Sequence, residues 1–272
     1  MEHKLFNVVG ASVRGSEHTR LGRNNQDAFV HWVGSGVALG VVCDGCGSAP
    51  ASEVGAQLCA RIVGDLLRVQ LQEGQDPGEE AFLEHLASGV CARLHQFLGC
   101  LGQAGGEQIH ELLLTTILGF VATPTTCRVF AAGDGIVAVN GEVQVLGPFP
   151  GNAPPYLAYA LSGQNVGFQS LCCRPTAEIS SLLLASDGAD AFISTPDARL
   201  PGTQRRLGSL PNLSEDPRFV SHPDALRRHL FCAARERMRF DLGERAMRRE
   251  AALLHDDTSI VLAQRVEAKN GS

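Results

Sequence analysis

The sequence lacks the features that mark a membrane, exported or nucleic-acid-binding protein. No apolar run approaches the roughly 20 residues that a membrane-spanning helix needs, and the start, MEHKLFNVVGASVRG, has neither the basic opening nor the long apolar stretch of a signal peptide. A basic surplus is also missing. The net charge is −6, whereas a general nucleic-acid binder presents a basic face to phosphates. We therefore expect no membrane segment, no nucleic-acid partner and a cytoplasmic location.

A disulfide framework is also not indicated. The nine cysteines are an odd number and are scattered along the chain, and Cys59, Cys91 and Cys127 lie inside apolar runs. Such cysteines behave as small buried apolar groups in a reducing compartment. Since Cys43 and Cys46 are separated by two residues, a zinc or redox role for this pair remains an alternative.

The chain has enough apolar residues to build a sizeable core. Hydrophobic residues make up 44% of its 272 residues, which suits a globular protein of this length. No break in composition requires two units, so we expect one domain over 1–272. The segment around 194–222 contains several prolines and little regular pattern, and it is expected to be an irregular insertion.

The apolar pattern alternates between strand-like and helix-like segments. Short apolar runs predict buried strands, and apolar residues that recur every three to four positions predict amphipathic helices. Strands are expected at Val37–Cys43, Leu112–Val121, Thr126–Ala132, Ile136–Leu146, Ser180–Ser186 and Thr258–Ala263. Helices are expected at Ser52–Gln72, Glu79–Leu98, Pro223–Phe240 and Leu242–Leu254.

This order of elements predicts an α+β fold. Helices do not alternate regularly with strands, so mostly antiparallel sheets covered by helices fit better than a doubly wound parallel sheet. Asn140-Gly141, between two apolar stretches, is typical of a hairpin turn. The arginine-rich stretch from Arg235 to Arg249 is interleaved with glutamates, and it is expected to be the solvated face of a helix.

Aspartates recur at the ends of the predicted strands. They occur in four motifs: Asn25-Gln26-Asp27, Cys43-Asp44-Gly45, Ser186-Asp187-Gly188 and His255-Asp256-Asp257. One Asp-Gly pair alone is more often a turn than a metal ligand. Several carboxylates that converge at one end of a sheet would repel one another unless cations lay between them, and Mg²⁺ and Mn²⁺ prefer such oxygen ligands.

The ordered set of motifs resembles the metal-dependent serine/threonine protein phosphatases of the 2C class, the PPM family. The resemblance runs from about His18 to Ala263 through Gln26-Asp27-Ala28-Phe29, Asp44-Gly45, Thr115-Thr116, Gly133-Asp134-Gly135, Ser186-Asp187-Gly188 and Asp256-Asp257-Thr258-Ser259. The spacing from His18 to Asp27 and the stretch DGCGSA further resemble a bacterial branch of that family. The resemblance implies a β-sandwich of two antiparallel sheets with helices on both sides, a four-layer α-β-β-α arrangement.

The resemblance also implies a set of roles. Asp44 would bridge two Mg²⁺ or Mn²⁺ ions, Asp187 and Asp256 would complete one of them, and the Gly45 carbonyl with waters would complete the other. Asp27 would hold a metal-bound water. A water activated by the two ions would hydrolyse phosphoserine or phosphothreonine directly, without a phosphoenzyme. The implied partners are a phosphoprotein substrate and a serine/threonine kinase or its targets.

The sequence departs from the family pattern at three positions. Gln26 stands where many relatives carry an acid, Cys46 where eukaryotic relatives carry a histidine proposed as general acid, and Gly22 where a phosphate-binding arginine is common. Nearby substitutes are His18, Arg20 and Arg23, of which the first two are taken as catalytic candidates. These departures keep open a second hypothesis, a pseudophosphatase that binds partners without efficient catalysis.

A third metal ion, which some relatives bind, is not expected here. Asp134 matches one of its ligands, but Ala191 occupies the position of the other, and Asp190 is one residue short. A role for Asp134 in a hairpin turn alone is therefore an alternative.

Overall fold

The computed structural model describes residues 4–102, 106–222 and 224–266. Its strands are β1 (Phe6–Val13), β2 (Asp27–Gly34), β3 (Val37–Asp44), β4 (Ile117–Ala122), β5 (Thr126–Ala132), β6 (Gly135–Val139), β7 (Glu142–Leu146), β8 (Gln169–Pro175), β9 (Ser181–Ala185), β10 (Arg237–Asp241), β11 (Ala246–Glu250) and β12 (Thr258–Arg265). Ten of these strands form two five-stranded sheets, in the orders β1-β12-β9-β6-β7 and β2-β3-β4-β5-β8. The neighbouring strands pair antiparallel throughout.

Helices cover both outer faces of the sandwich. The α-helices are α1 (Ser16–Leu21), α2 (Ser52–Gln72), α3 (Phe82–Cys100), α4 (Gly106–Gln108), α5 (Ala191–Ser194), α6 (Leu210–Glu215), α7 (Pro217–Ser221) and α8 (Ala225–Ala234). A π-helical turn follows α4 at Ile109–Leu113, and 3₁₀ turns occur at Pro150–Asn152, Leu157–Ser162, Thr176–Glu178 and Asp187–Asp190. Within the described residues, no helix combines the length and apolarity needed to cross a membrane.

Alternation along the central strands produces three layers of core. On β3, Val41 faces α2 and α3, whereas Val42 faces the other sheet. On β9, Leu183 faces α6 and α8, whereas Leu184 points between the sheets. Because successive side chains of a strand point to opposite faces, strands that are apolar at every position must be covered on both sides. The expected four-layer α-β-β-α sandwich is confirmed.

The expected helices near the C-terminal end are largely wrong. Helix α8 ends at Ala234, and residues 237–250 form the hairpin β10–β11 instead of helix. The side chain of Asp241 accepts hydrogen bonds from the backbone N–H groups of Gly243 (2.9 Å) and Glu244 (3.1 Å), and Arg245 adopts a left-handed φ of 49°. These contacts fix a tight turn that a helix could not contain. The expected helix start, Pro223, lies outside the described residues.

The proline-containing segment 194–222 is more ordered than its sequence indicates. It contains α6 and α7, and Leu200, Leu207, Leu210 and Leu213 are buried in the same core layer as α8 and β9. The segment therefore packs onto the outer face of one sheet through its leucines, and it is not irregular over its whole length.

Candidate active site

One end of the sandwich brings the predicted aspartates together. Strands β2 and β12 begin there, while β3 and β9 end there, because neighbouring antiparallel strands start and stop at the same edge. A cavity of about 300 Å³ opens at this edge. It is lined by His18, Gln26, Asp27, Asp44, Gly45, Cys46, Gly47, Ser48, Thr116, Asp134, Pro154, Tyr156, Asp187, Asp256 and Asp257. We call it the acidic pocket.

Asp27 and Asp44 form one wall of the acidic pocket. They lie directly opposite each other on β2 and β3, an arrangement in which two like charges destabilise a sheet. The backbone of Asp44 is held by the two threonines that lead into β4: its N–H donates to Thr116 Oγ1 (3.2 Å), and its carbonyl accepts from Thr115 Oγ1 (2.8 Å). The two carboxylates are therefore held on adjacent strands, close enough for their charges to repel each other.

Asp187 and Asp256 come from the other sheet. Asp187 follows β9, Asp256 precedes β12, and both side chains are exposed at the mouth of the pocket. Gly188 lets these two loops approach, because a Cβ at that position would lie only 2.0 Å from the carbonyl oxygen of Asp257. A side chain at Gly188 would therefore push the two loops apart.

Ser186 connects the two sheets behind Asp27 and does not itself line the pocket. Its hydroxyl donates a hydrogen bond to Asp27 Oδ2 (2.7 Å) and accepts one from the backbone N–H of Ser259 (2.9 Å). Both partners are buried, so this hydroxyl holds one oxygen of Asp27 in a fixed direction.

The carboxylates of the pocket resist ionisation together. Burial, and then the charges of Asp257 and Asp187, raise the pKa of Asp27 to about 8, although its bond to Ser186 acts in the opposite direction. The pKa of Asp44 is raised well above its ordinary value by burial and by the charges of Asp27, Asp187 and Asp256. Burial is likewise the largest cause of the raised pKa of Asp256. A cation among them would reverse these shifts.

Two buried acceptor atoms show that the pocket fits a cation. Gln26 Oε1 and Asp27 Oδ1 are both enclosed, and neither has a hydrogen-bond partner within the described part of the chain. An unsatisfied buried acceptor costs free energy. Oxygen atoms at the edge of a carboxylate cluster are the ligands that hard divalent cations and their waters take. The residues present therefore suit Mg²⁺ or Mn²⁺.

A second arrangement lies beside the cluster, between His18 and Asp257. His18 Nδ1 is 2.8 Å from Asp257 Oδ2, and both side chains are buried. Asp257 also accepts hydrogen bonds from the backbone N–H groups of Gly15 (2.8 Å) and Gln26 (2.6 Å). Potential ligand atoms of His18, Asp256 and Asp257 all lie within 4.8 Å of one another. Asp257 thus fixes the histidine ring at the wall of the acidic pocket.

The structure does not bring Arg20 to the pocket. Arg20 is exposed and lines a different cavity, on the opposite side of α1. Arg23 lies at the rim, where its Nη1 donates to the carbonyl of Gly47 (3.3 Å). Among the described residues that line the acidic pocket, none is a lysine or an arginine. The expectation of Arg20 as a catalytic residue therefore has no geometric support.

The two cysteines of the Cys-x-x-Cys stretch have different surroundings. Cys43 is buried in the core beneath α2, and burial raises its pKa well above the ordinary value. Cys46 lines the pocket, 3.1 Å from Ser48 Oγ. All nine cysteines are free thiols, and within the described residues no cluster of three or more potential metal ligands contains a cysteine. The zinc alternative thus has no support.

Asp134 lies in the pocket, but Asp190 does not line it. Asp134 joins β5 to β6, and its pKa is raised by burial and by Asp187. Asp190 instead lines a neighbouring cavity that shares Asp187 and Asp256 with the acidic pocket.

Two site residues were missed from sequence. Asp257 belongs to a predicted motif without a predicted role of its own, although its position beside Asp256, directly before β12, is a usable signal. Tyr156 lies in a loop without regular pattern and lines the pocket, and no feature of the sequence indicated it.

Comparison with known proteins supports a family assignment. Solved structures with a similar fold include a bacterial serine phosphatase (14% identity over 97% of this chain and 99% of that chain, TM-score 0.56) and the serine/threonine phosphatase Stp1 from Staphylococcus aureus (15%, 97% and 96%, TM-score 0.55). PppA, a key regulatory component of T6SS in Pseudomonas aeruginosa, is also similar (15%, 97% and 100%, TM-score 0.56). At such identities the likeness establishes the fold alone.

Sequence comparison gives the stronger result. A search of curated proteins found no match. The family model described as "Protein phosphatase 2C", however, matches residues 14–229. This range includes α1, both helices α2 and α3, and three of the four carboxylate motifs. The chain therefore belongs to the protein phosphatase 2C family.

Proposed function

We propose that the protein hydrolyses phosphoserine and phosphothreonine in proteins with the help of two Mg²⁺ or Mn²⁺ ions. The observation that carries this proposal is the acidic pocket itself. It gathers Asp27, Asp44, Asp187 and Asp256 from two sheets and encloses acceptor atoms without partners. Such a charge cluster is costly to maintain unless cations bind it.

In this proposal the ions are held by side chains of both sheets. Asp44 would contact both ions, Asp187 and Asp256 would complete one, and the Gly45 carbonyl with waters would complete the other, with Asp27 holding a metal-bound water. Ions bound in this way supply positive charge next to the phosphate oxygens and make the water they coordinate more acidic. Gln26 would add an oxygen atom but no charge, so the ion nearest to it would be held more weakly.

The residues of the chain itself position the reacting groups. Thr115 and Thr116 hold the backbone of Asp44, and Ser186 holds the carboxylate of Asp27. Asp257 accepts a hydrogen bond from Nδ1 of His18, and in the doubly protonated ring Nε2 would donate a second hydrogen bond, to a phosphate oxygen. His18 thereby provides the contact that an arginine provides in many relatives.

The substrate proposed is a phosphoprotein, and the partner is a serine/threonine kinase or one of its targets. The whole chain, 1–272, would act as one domain in the cytoplasm. The function of the family and the similarity to serine/threonine phosphatases support the substrate class.

The test is hydrolysis of p-nitrophenyl phosphate and of a phosphothreonine peptide with millimolar Mn²⁺ or Mg²⁺. We expect activity that a chelator removes, and that Asp187→Asn lowers by about a thousandfold. Asp65→Asn is the matched control, since Asp65 is an exposed aspartate on α2. A folded wild-type protein without activity under these conditions would overturn the proposal.

A pseudophosphatase is the second candidate, because no lysine or arginine lines the described part of the pocket. It predicts binding of phosphoproteins with negligible turnover. Titration calorimetry with Mn²⁺ separates the two candidates, because a catalytic site must bind the ion at millimolar concentration.

A further inference from the structure

A second cavity lies on the other side of α1, between the end of β1, α1 and α8. Its volume is about 550 Å³. Its charged lining consists of Arg14, Arg20, Arg227, Arg235 and Glu236. Glu236 is ion-paired with Arg249 of the hairpin, which leaves the cavity strongly basic. We call it the arginine groove, and it contrasts with the net charge of −6 for the whole chain.

Two of the arginines have no carboxylate partner within the described residues. Arg14 donates to Thr19 Oγ1 (3.2 Å) and to the carbonyl of Arg23 (3.0 Å). Arg235 lies over the ring of Phe231, 6.0 Å from its centre. Their positive charge is therefore available to an anionic group from outside.

The other two arginines form weak surface pairs. Arg20 is 3.8 Å from Glu17 and Arg227 is 3.1 Å from Asp224, and all four side chains are about half exposed or more. Such exposed pairs contribute little, so a carboxylate of a bound partner can replace either acid.

The groove also has an apolar surface. Phe231 on α8 is 53% exposed, and the smaller side chains of Val13 and Ala234 lie beside it. An exposed aromatic ring among arginines suits a partner that presents both apolar and acidic side chains.

The position of the groove relates it to the acidic pocket. His18 lines the acidic pocket, whereas its neighbours Thr19 and Arg20 line the groove. One short helix thus separates the two cavities. A helix with side chains is about 10–12 Å wide, and a chain needs at least about three residues to cover that distance, or up to about five where it is not fully extended.

We propose that the arginine groove binds an acidic and apolar stretch of the substrate, about three to five residues from the phosphorylated serine or threonine. The inference rests on the proposed phosphatase function, and it specifies which phosphoproteins are the better substrates. Charge complementarity with the arginines selects the acidic residues, and Phe231 selects the apolar one.

The first experiment measures peptide binding without catalysis. The peptides are labelled with fluorescein and are not phosphorylated. Each carries Glu-Leu-Glu or Lys-Ser-Lys three to five residues before or after a central threonine. Their fluorescence anisotropy is measured as the wild-type protein is added in the presence of a chelator. We expect binding only of a Glu-Leu-Glu peptide. Arg235→Glu and Phe231→Ser should each weaken it about tenfold. Arg61→Glu, on the exposed face of α2 in the opposite helical layer, should not change it.

The second experiment compares kinetics on the phosphorylated peptides. Arg235→Glu should raise KM about tenfold for the Glu-Leu-Glu phosphopeptide with kcat unchanged, and it should leave p-nitrophenyl phosphate hydrolysis unaffected because that substrate is too small to reach the groove. Equal KM values for all peptides, or equal losses in Arg61→Glu, would overturn the inference. So would binding to anionic vesicles without any peptide preference. Absence of all hydrolysis would refute the phosphatase proposal, whereas the binding experiment would still decide the groove.

Discussion

The acidic pocket and the arginine groove lie on opposite sides of one six-residue helix, and they are built in different ways. The carboxylates of the pocket project from strand ends and adjacent loops, and their backbones are held by neighbouring strands. The arginines of the groove lie on exposed surfaces and bond mainly to other flexible or exposed groups. The pocket is thus preorganised, whereas the groove can adapt to different partners.

This difference has a physical consequence. Preorganised like charges cost stability and raise pKa values, but they bind an ion without further rearrangement. Exposed arginines cost little and can rearrange around varied sequences. We therefore expect changes in the pocket to affect chemistry and stability together, and changes in the groove to affect substrate preference alone.

The largest effect is expected from Asp44→Asn. It should lower phosphatase activity by about a thousandfold, because the proposed ligand to both ions is lost. In the presence of a chelator, the same change should raise Tm by about 3 °C or more, because it replaces a carboxyl group whose ionisation is opposed by burial and by Asp27 directly across from it. Activity assays and thermal unfolding measure the two results. A variant with lower activity and lower Tm would show that Asp44 has a structural role instead.

The next effect concerns pH and metal. The pKa values of Asp27, Asp44 and Asp256 are raised in the folded protein, so between about pH 4 and pH 8 it binds more protons than the unfolded chain. Without metal, the free energy of unfolding should therefore fall as the pH rises through this window. Mn²⁺ replaces the protons, and its stabilising effect should be larger at pH 8 than at pH 5. Thermal unfolding with and without Mn²⁺ tests this, and an equal effect at both pH values would contradict it.

A smaller effect is expected from Ser186→Ala. The change removes the hydrogen bond that directs Asp27 but leaves the proposed metal ligands in place, so metal affinity or activity should fall about 10- to 100-fold. Ser48→Ala, at the exposed rim of the pocket, is the control. Calorimetry with Mn²⁺ should show the loss. Unchanged Mn²⁺ affinity and unchanged activity would show that Ser186 does not orient Asp27 for ion binding.

The smallest effect is expected from Cys46→Ser. The thiol contacts Ser48 Oγ and the side chain of Tyr156, and a hydroxyl can make the same contacts, so activity should change by less than about threefold. A large loss in activity would reopen a thiol role in the chemistry.

The site was more predictable than the surface around it. An aspartate that ends a buried strand must lie at the edge of the sheet. The apolar runs before Asp44 and Asp187 were therefore sufficient to predict where these residues lie. Arg20 was different. Helix α1 has only six residues, and one of its faces lines the pocket while another lines the groove. The sequence around His18 does not show which residue lies on which face.

The hairpin β10–β11 was predicted incorrectly for a related reason. Met238, Phe240 and Met247 alternate with arginines, which is a strand pattern, but all are at least half exposed. Because these apolar side chains are exposed, the hairpin has no buried face that would impose a regular apolar pattern. The pattern in the sequence was therefore too weak to distinguish a strand from a helix. Turn contacts made by Asp241 decided the outcome.

The hydroxyl of Ser186 has a consequence beyond the orientation of Asp27. It is bonded to one sheet through Ser259 and to the other through Asp27, so the gap between the sheets sets how far apart the two groups of carboxylates lie. That gap is filled by inter-sheet side chains such as Phe120 and Val261. The volume of the hydrophobic core is thereby coupled to the geometry of ion binding, and sequence changes deep in the sandwich can tune the chemistry at its edge.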